Sequence, residues 1–231
     1  MTITAVLFGS TGLSGQSLLS SLLELDMFQT VYTVSRRAPK IESPRLSMQI
    51  EVDTSKWASS LSSLIPAPLV AISAVGTTRV QAGSIVNQWK IDHDVNIELA
   101  KAAYAAGVNT YIFVSSTGTQ GWLSRNVPYW KMKQGVESAI KNIGFGQVII
   151  MRPGLILGKR PVNRMGELFL NKAVRNLGKI KQEWRNRLGQ DADMIGRAAT
   201  YAIILALEGK APSKYWVLEQ TDIVRLGSMS S

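Results

Sequence analysis

The amino-acid sequence predicts an α/β protein: a Rossmann-type, doubly wound parallel sheet with a small C-terminal substrate lobe. Apolar strand-like runs alternate with helix-like patterns through about the first 155 residues, the order in which helical crossovers join parallel strands. The runs AVLF, LVAISAV, YIFV and QVIIM are almost continuously apolar, as strands covered on both faces are. The first of these runs leads directly into a glycine-rich turn that opens a helix.

The spacing of these runs predicts where each strand and helix lies along the chain. Strands are expected at residues 3–8, 30–34, 47–52, 69–75, 110–115 and 147–152. Apolar residues at helical spacing predict crossover helices over Gly15–Leu25 and Ile91–Ala106. After Gly154 the alternation gives way to Gly, Pro and basic residues, followed by a helix near Met194–Leu207 and a short strand at Tyr215–Leu218. We expect one Rossmann domain over residues 1–231, with residues from about 155 to 231 contributing most of the C-terminal lobe.

Composition excludes several classes of site. The 231 residues contain no cysteine and one histidine, so a disulfide framework, a thiolate zinc site and a cysteine nucleophile are all excluded. The single histidine, His93, is expected to cap a helix or lie at the surface. No leader of signal-peptide form follows Met1, and no apolar run approaches the roughly 20 residues that span a bilayer.

The net charge of +10 is concentrated in one segment. Residues 151–190 contain ten basic and two acidic side chains, so this segment carries +8 and the rest of the chain +2. Within it, four apolar residues at helical spacing predict an amphipathic basic helix over Glu167–Leu177, which suits either peripheral contact with an anionic membrane or an ordinary solvated face. No nucleic-acid-binding motif accompanies the charge, so no specific nucleic acid is expected.

The glycine-rich turn predicts a dinucleotide site. It has the form G-x-x-G-x-x-G at the end of the first strand, where backbone N–H groups and the positive end of the helix dipole bind a pyrophosphate. The residues expected to contact the cofactor here are Gly9, Ser10, Thr11, Gly12, Leu13 and Gly15.

The end of the second strand indicates which dinucleotide binds. An NAD-preferring site would place an acidic residue there to bind the ribose hydroxyls, but this chain has Arg36 and Arg37. Because guanidinium groups bind phosphate in a bidentate manner, we expect NADP(H), with Arg36 as the first contact and Arg37 as the second or as a solvated loop charge. Asp53, after the third strand, is expected either to accept from the adenine amino group or to serve as a turn residue.

A second cluster predicts carbonyl chemistry. Ser116 follows the fifth strand, and Tyr129 and Lys133 come next at the i, i+4 spacing that puts two side chains on one helix face. A nearby ammonium lowers the pKa of a phenol from its usual value of about 10, which general acid–base catalysis at neutral pH requires. We therefore expect Tyr129 to exchange the proton, Lys133 to tune it and Ser116 to hold the carbonyl oxygen, with Ser115 as the alternative serine.

Seven segments of the chain together resemble the short-chain dehydrogenases/reductases of the atypical, extended-like type. These segments are GSTGLSG, SKW, GTTRVQAG, KIDHD, VSSTG, YWKMK and MRPGLILGKR. More narrowly, the resemblance is to the fungal mitochondrial reductase-like proteins of the Fmp group, and these segments are also similar to the animal relative of that group, the Tat-interacting tumour-suppressor protein. It covers residues 3–170 well and implies a Rossmann fold, bound NADP(H) and the site Ser116, Tyr129 and Lys133. It also implies that Val75, Gly76 and Thr77 run beside the cofactor and that Pro153 borders the nicotinamide. The active-site asparagine of classical members has no counterpart in register, since Asn87 and Asn96 are both displaced.

Two functions follow as expectations. The first is an NADPH-dependent reductase of a small carbonyl substrate, with Tyr129 as proton donor. The second is an NADP(H)-binding regulatory or scaffold protein that acts through partners or at a mitochondrial membrane surface with little turnover. The resemblance implies a mitochondrial location, peripheral on the outer membrane, and a cytoplasmic location fits the residues equally well.

Overall fold

The structure is a computed structural model that describes residues 3–120, 126–157 and 189–229. The strands in these ranges are β1 Ile3–Phe8, β2 Phe28–Ser35, β3 Leu46–Ile50, β4 Val70–Ser73, β5 Thr110–Val114, β6 Gln147–Met151, β7 Leu155–Leu157, β8 Gly189–Asp191 and β9 Tyr215–Leu218. The helices are α1 Leu13–Glu24, α2 Trp57–Ser60, α3 Arg79–Ala82, α4 Ile85–Trp89, α5 Val95–Ala105, α6 Pro128–Ile143, α7 Ala192–Leu207 and α8 Gln220–Met229.

Seven strands form one parallel sheet in the order β3-β2-β1-β4-β5-β6-β9. The chain moves outward in one direction from β1 to β3 and in the other from β4 to β9, so the order reverses between β1 and β4. In open parallel sheets, ligands bind at the carboxyl ends of the strands beside this point. β7 and β8 form a separate two-stranded parallel sheet.

Both faces of the sheet are buried. Alternate side chains of β1 enter different cores: Ala5 and Leu7 pack with α1, α7 and α8, whereas Val6 and Phe8 pack with α5 and α6. This arrangement follows from the two-residue period of a strand and explains why the strands read as continuous apolar runs. The predicted doubly wound parallel sheet is therefore confirmed.

Every predicted element that lies within the described ranges is present, with small shifts at its ends. The second strand begins at Phe28 rather than residue 30, and the fourth ends at Ser73 rather than residue 75. The helix predicted to begin at Ile91 begins instead at Ile85, where the Ser84 hydroxyl accepts a hydrogen bond from the Asn87 amide at 3.0 Å. A five-residue π turn over Lys90–Asp94 then joins α4 to α5. The β7–β8 pair and α8 were not predicted.

Part of the basic segment, including the predicted helix over Glu167–Leu177, lies outside the described residues. In the described ranges, no helix has the combination of length and apolar character needed to cross a membrane.

Candidate active site

The glycine loop connects β1 to α1 through two close backbone contacts. Gly9 has a left-handed φ of +80°, and a Cβ on it would lie 2.9 Å from the Ala74 carbonyl oxygen. A Cβ on Gly15 would overlap the carbonyl oxygen of Gly9 itself. The first turn of α1 therefore packs directly on the loop backbone, and this packing leaves no space for a side chain.

The amino end of α1 is suited to an anion. Gly12 caps the helix without a side-chain hydrogen bond, and the first turn contains no acidic residue, so the helix N–H groups and dipole are not neutralised by the helix itself. The Ser10 hydroxyl is buried and has no hydrogen-bond partner within the described residues. Buried polar atoms normally have partners, so Ser10 fits a site completed by a ligand. These features fit the pyrophosphate of a dinucleotide.

The two arginines after β2 are exposed beside this loop. Neither side chain makes a hydrogen bond or ion pair within the described part of the chain, so both are available to a phosphate. The Ser35 hydroxyl donates to the Arg37 carbonyl oxygen at 2.7 Å and so fixes the turn that carries them. Asp53 instead accepts from the Ser55 amide and hydroxyl at 3.0 and 2.7 Å, and these hydrogen bonds hold its pKa below the usual value.

The segment after β4 lies against a buried carboxylate. Val75 is buried, Gly76 is exposed, and the Thr77 amide lies 3.2 Å from both oxygens of Asp92. Asp92 belongs to the π turn and is fully buried. Asn96, one turn later, donates to the carbonyl oxygens of Ile91 and Asp92 at 3.1 and 3.2 Å, so it holds the π turn in place.

The two serines after β5 have different surroundings. The Ser115 hydroxyl is buried and donates to the Glu137 carboxylate at 2.5 Å. Ser116 is partly exposed, and its hydroxyl donates to the Thr117 carbonyl oxygen at 3.1 Å. Ser116 is therefore the more accessible of the two serines, and the Ser115 hydroxyl is buried.

Helix α6 carries the tyrosine and lysine. Tyr129 lies in its first turn and is partly exposed. Lys133, one turn later, is buried: its ammonium donates to the Val114 carbonyl oxygen at 3.1 Å and lies 4.6 Å from the centre of the Phe113 ring. Burial lowers the pKa of Lys133, and the charges of Asp92 and Glu137 oppose that shift. The ammonium thus lies under the end of β5, on the helix face that Tyr129 shares.

A buried ion-pair network supports this edge. Glu137, one turn after Lys133, accepts from Arg152 at 3.1 and 2.5 Å, and Arg152 also pairs with Glu219 at 2.7 Å. The network links α6 to the ends of β6 and β9. Neither Glu137 nor Arg152 was predicted as a site residue; the signal that could have shown Glu137 is its i+4 spacing from Lys133.

The remaining predicted residues have the following places. Pro153 is buried after β6, and its carbonyl oxygen accepts from the Thr117 amide at 2.9 Å. Trp130 contacts Gly118, where a Cβ would come within 2.6 Å of the ring. His93 lies 4.9 Å from Trp89, ring centre to ring centre, and contacts Asp94 at 2.7 Å. The catalytic and cofactor residues predicted from the sequence are therefore all carried by the carboxyl ends of the strands and the helices that follow them, and their roles stay predictions.

Comparison with known proteins identifies the group to which the chain belongs. Residues 5–188 match the NAD dependent epimerase/dehydratase family. "Protein fmp52-2, mitochondrial" of Aspergillus oryzae is 55% identical over 97% of this chain and 96% of its own length. "Protein FMP52, mitochondrial" of Chaetomium globosum is 50% identical over 96% of each chain.

A solved structure shares the fold. The Bordetella bronchiseptica enzyme WbmH, solved in complex with NAD+, has a TM-score of 0.61 at 13% identity and covers 95% of this chain and 86% of its own. Because identity is low, this likeness concerns the fold alone. The resemblance to atypical short-chain dehydrogenases/reductases is confirmed by the family match and the fungal relatives: this chain is a member of the NAD dependent epimerase/dehydratase family, within its Fmp52-type group.

Proposed function

We propose that this protein is an NADP(H)-dependent oxidoreductase that reduces a small carbonyl compound. The observation that carries the proposal is the buried Lys133 ammonium under the end of β5, one helical turn from Tyr129 and on the sheet edge where the glycine loop lies. A lysine that were only a surface residue of α6 would not be buried against Val114 and Phe113.

Each side chain then has one task. Ser116, partly exposed just after β5, holds the substrate carbonyl oxygen. Tyr129 donates a proton to that oxygen as the alcohol forms, and the Lys133 charge makes the phenol a stronger acid. When bound, NADPH supplies the hydride that the carbonyl carbon accepts. The loop from Val75 to Thr77 and Pro153 borders the cofactor through backbone groups.

The direct test is NADPH consumption by the purified protein with a panel of aldehydes and ketones. We expect at least one to be reduced, with one alcohol formed for each NADPH oxidised. If the protein binds NADPH but reduces none of the panel, the reductase proposal fails and a cofactor-binding regulatory protein replaces it.

The proposed NADP(H) preference depends on Arg36. Replacing Arg36 by alanine removes a charged donor to the 2′-phosphate, and hydrogen bonds to charged groups contribute about 1.5–3 kcal/mol. We expect calorimetric titration to show NADPH affinity lowered by about tenfold or more, with NADH affinity unchanged. Lys101→Ala, which removes an exposed charge from α5, is the control. Equal affinity of the unmodified protein for both nucleotides would contradict the preference.

We further propose that the protein lies peripherally on a mitochondrial membrane. The relatives from Aspergillus oryzae and Chaetomium globosum are named as mitochondrial, and ten basic residues are concentrated within residues 151–190 of this chain. Basic side chains near an anionic membrane surface each contribute about 1 kcal/mol.

Vesicle sedimentation tests this membrane contact. We expect binding to vesicles that contain phosphatidylserine, no binding to pure phosphatidylcholine, and loss of binding at high salt. Replacing Lys172, Arg175 and Lys179 together by alanine removes about 3 kcal/mol, so affinity should fall about a hundredfold. The same affinity for both kinds of vesicle would overturn this proposal.

A further inference from the structure

Asp92 is a buried carboxylate in the candidate site to which the proposed function assigns no task. It is fully buried in the π turn, and both of its oxygens lie 3.2 Å from the Thr77 amide. A buried charge is costly unless an opposite charge lies nearby, so a cation close to Asp92 would stabilise the carboxylate.

Lys133 is a buried cation that borders the same loop. A Cβ placed on Gly76 would lie 3.0 Å from an Asp92 oxygen and 3.9 Å from the Lys133 nitrogen, so both groups border the same point of the loop after β4. Lys133 is also buried, and within the described residues its ammonium contacts the Val114 carbonyl oxygen and the Phe113 ring, neither of which carries a charge.

Glu137 also lies near Lys133, but its charge is already balanced. Two nitrogen atoms of Arg152 contact its carboxylate, and both residues are buried. Glu219, the second partner of Arg152, is half exposed, so water solvates it. Arg152 therefore compensates Glu137. Among the carboxylates of the described residues that act on Lys133, this leaves Asp92 as the one that compensates it.

We propose that Asp92 is a positioning residue that acts as the counter-ion of Lys133 and keeps its ammonium charged beneath Tyr129. Its consequence for catalysis rests on the proposed reductase function. The π turn directs Asp92 inward, and Asn96 fixes that turn through the carbonyl oxygens of Ile91 and Asp92. Within the described residues, the charges that act on Lys133 are those of Asp92 from the π turn and Glu137 from α6. Tyr129 lies one turn earlier on the same helix, and β5 contributes an aromatic ring and a carbonyl oxygen.

A double-mutant cycle without cofactor or substrate tests the pairing. Asp92→Asn keeps the shape and the acceptor for the Thr77 amide but removes the charge, so it leaves the buried ammonium unbalanced. We expect Lys133→Met to lower the melting temperature in the unmodified protein but to raise it in the Asp92→Asn background, because there it removes the unbalanced charge. If Lys133→Met lowers the melting temperature equally in both backgrounds, the two residues are not paired and the proposal is wrong.

The pH dependence of the melting temperature shows whether the effect of Asp92→Asn comes from the lost charge or from a change in shape. Without Asp92 the pKa of folded Lys133 falls further below its unfolded value of about 10.4. A depressed lysine pKa costs stability at neutral pH, and that cost disappears as pH rises toward the unfolded value. The difference in melting temperature between the unmodified protein and Asp92→Asn should therefore shrink between about pH 6 and about pH 10. A constant difference would mean that the Asp92 charge does not act on Lys133, and the proposal would be wrong.

Asp94→Asn is the matched control. Asp94 lies in the same π turn, but its side chain is half exposed and contacts His93. We expect no coupling between Asp94→Asn and Lys133→Met, and coupling as strong as that of Asp92 would overturn the assignment. The cycle needs no turnover, so it can fail while carbonyl reduction is observed, and it can succeed while no carbonyl is reduced.

Discussion

Replacing Gly15 by alanine is expected to destabilise the protein and to weaken NADPH binding together. The new Cβ would overlap the Gly9 carbonyl oxygen and lie 3.0 Å from the Ser10 Cα. These are backbone atoms, so no flexible side chain can move aside, and α1 must shift away from the loop. Overpacking of this kind costs about 1–3 kcal/mol, or a fall of about 3–10 °C in melting temperature for a chain of this size. Because the amino end of α1 moves, NADPH affinity should fall at least about tenfold.

Gly12→Ala provides the contrast, because its Cβ would make an ordinary 3.5 Å contact with the same carbonyl oxygen. Gly12 is exposed at the cap of α1, so alanine should lower the melting temperature less than it does at Gly15 and still hinder a pyrophosphate. Calorimetric melting and titration of both variants measure the two effects. A Gly15→Ala variant with unchanged melting temperature and NADPH affinity would contradict the tight packing of the loop.

The sheet could be predicted from the sequence because its strands are buried on both faces. A run such as YIFV has no polar face, and a parallel sheet covered by helices on both sides accommodates several such runs. The glycine loop could be predicted for a similar local reason, since the residues that form it are contiguous. Tyr129 and Lys133 share one helix turn, so their juxtaposition also follows from local spacing.

Contacts between distant segments could not be predicted in this way. Asp92 and Lys133 are 41 positions apart in the sequence, and both border Gly76 because the π turn packs against α6. The periodicity of an ordinary α-helix places Asn96 and Asp92 together but does not show which of them faces the site. The Glu137–Arg152 pair likewise depends on α6 packing across β6, which a search for active-site motifs does not reveal.

The strongest test of the mechanism is the replacement of Tyr129 by phenylalanine. The ring and its place in the first turn of α6 are kept, and the proton donor is lost. We expect turnover of a reducible carbonyl substrate to fall by about 10²–10⁴-fold, the usual contribution of general acid catalysis. NADPH affinity should stay within about threefold, because the glycine loop and the arginines after β2 are unaltered.

Tyr104→Phe is the matched control, since Tyr104 is a half-exposed tyrosine of α5 that packs against Phe145 on a part of the fold away from the loop. Absorbance of NADPH under saturating substrate measures turnover, and calorimetry measures binding. Loss of NADPH binding in Tyr129→Phe would assign Tyr129 to the cofactor site rather than to proton transfer. If the variant reduced the substrate at the normal rate, Tyr129 would not be the donor, and the Lys133 charge that Asp92 supports would have to act on a different group at the end of β5.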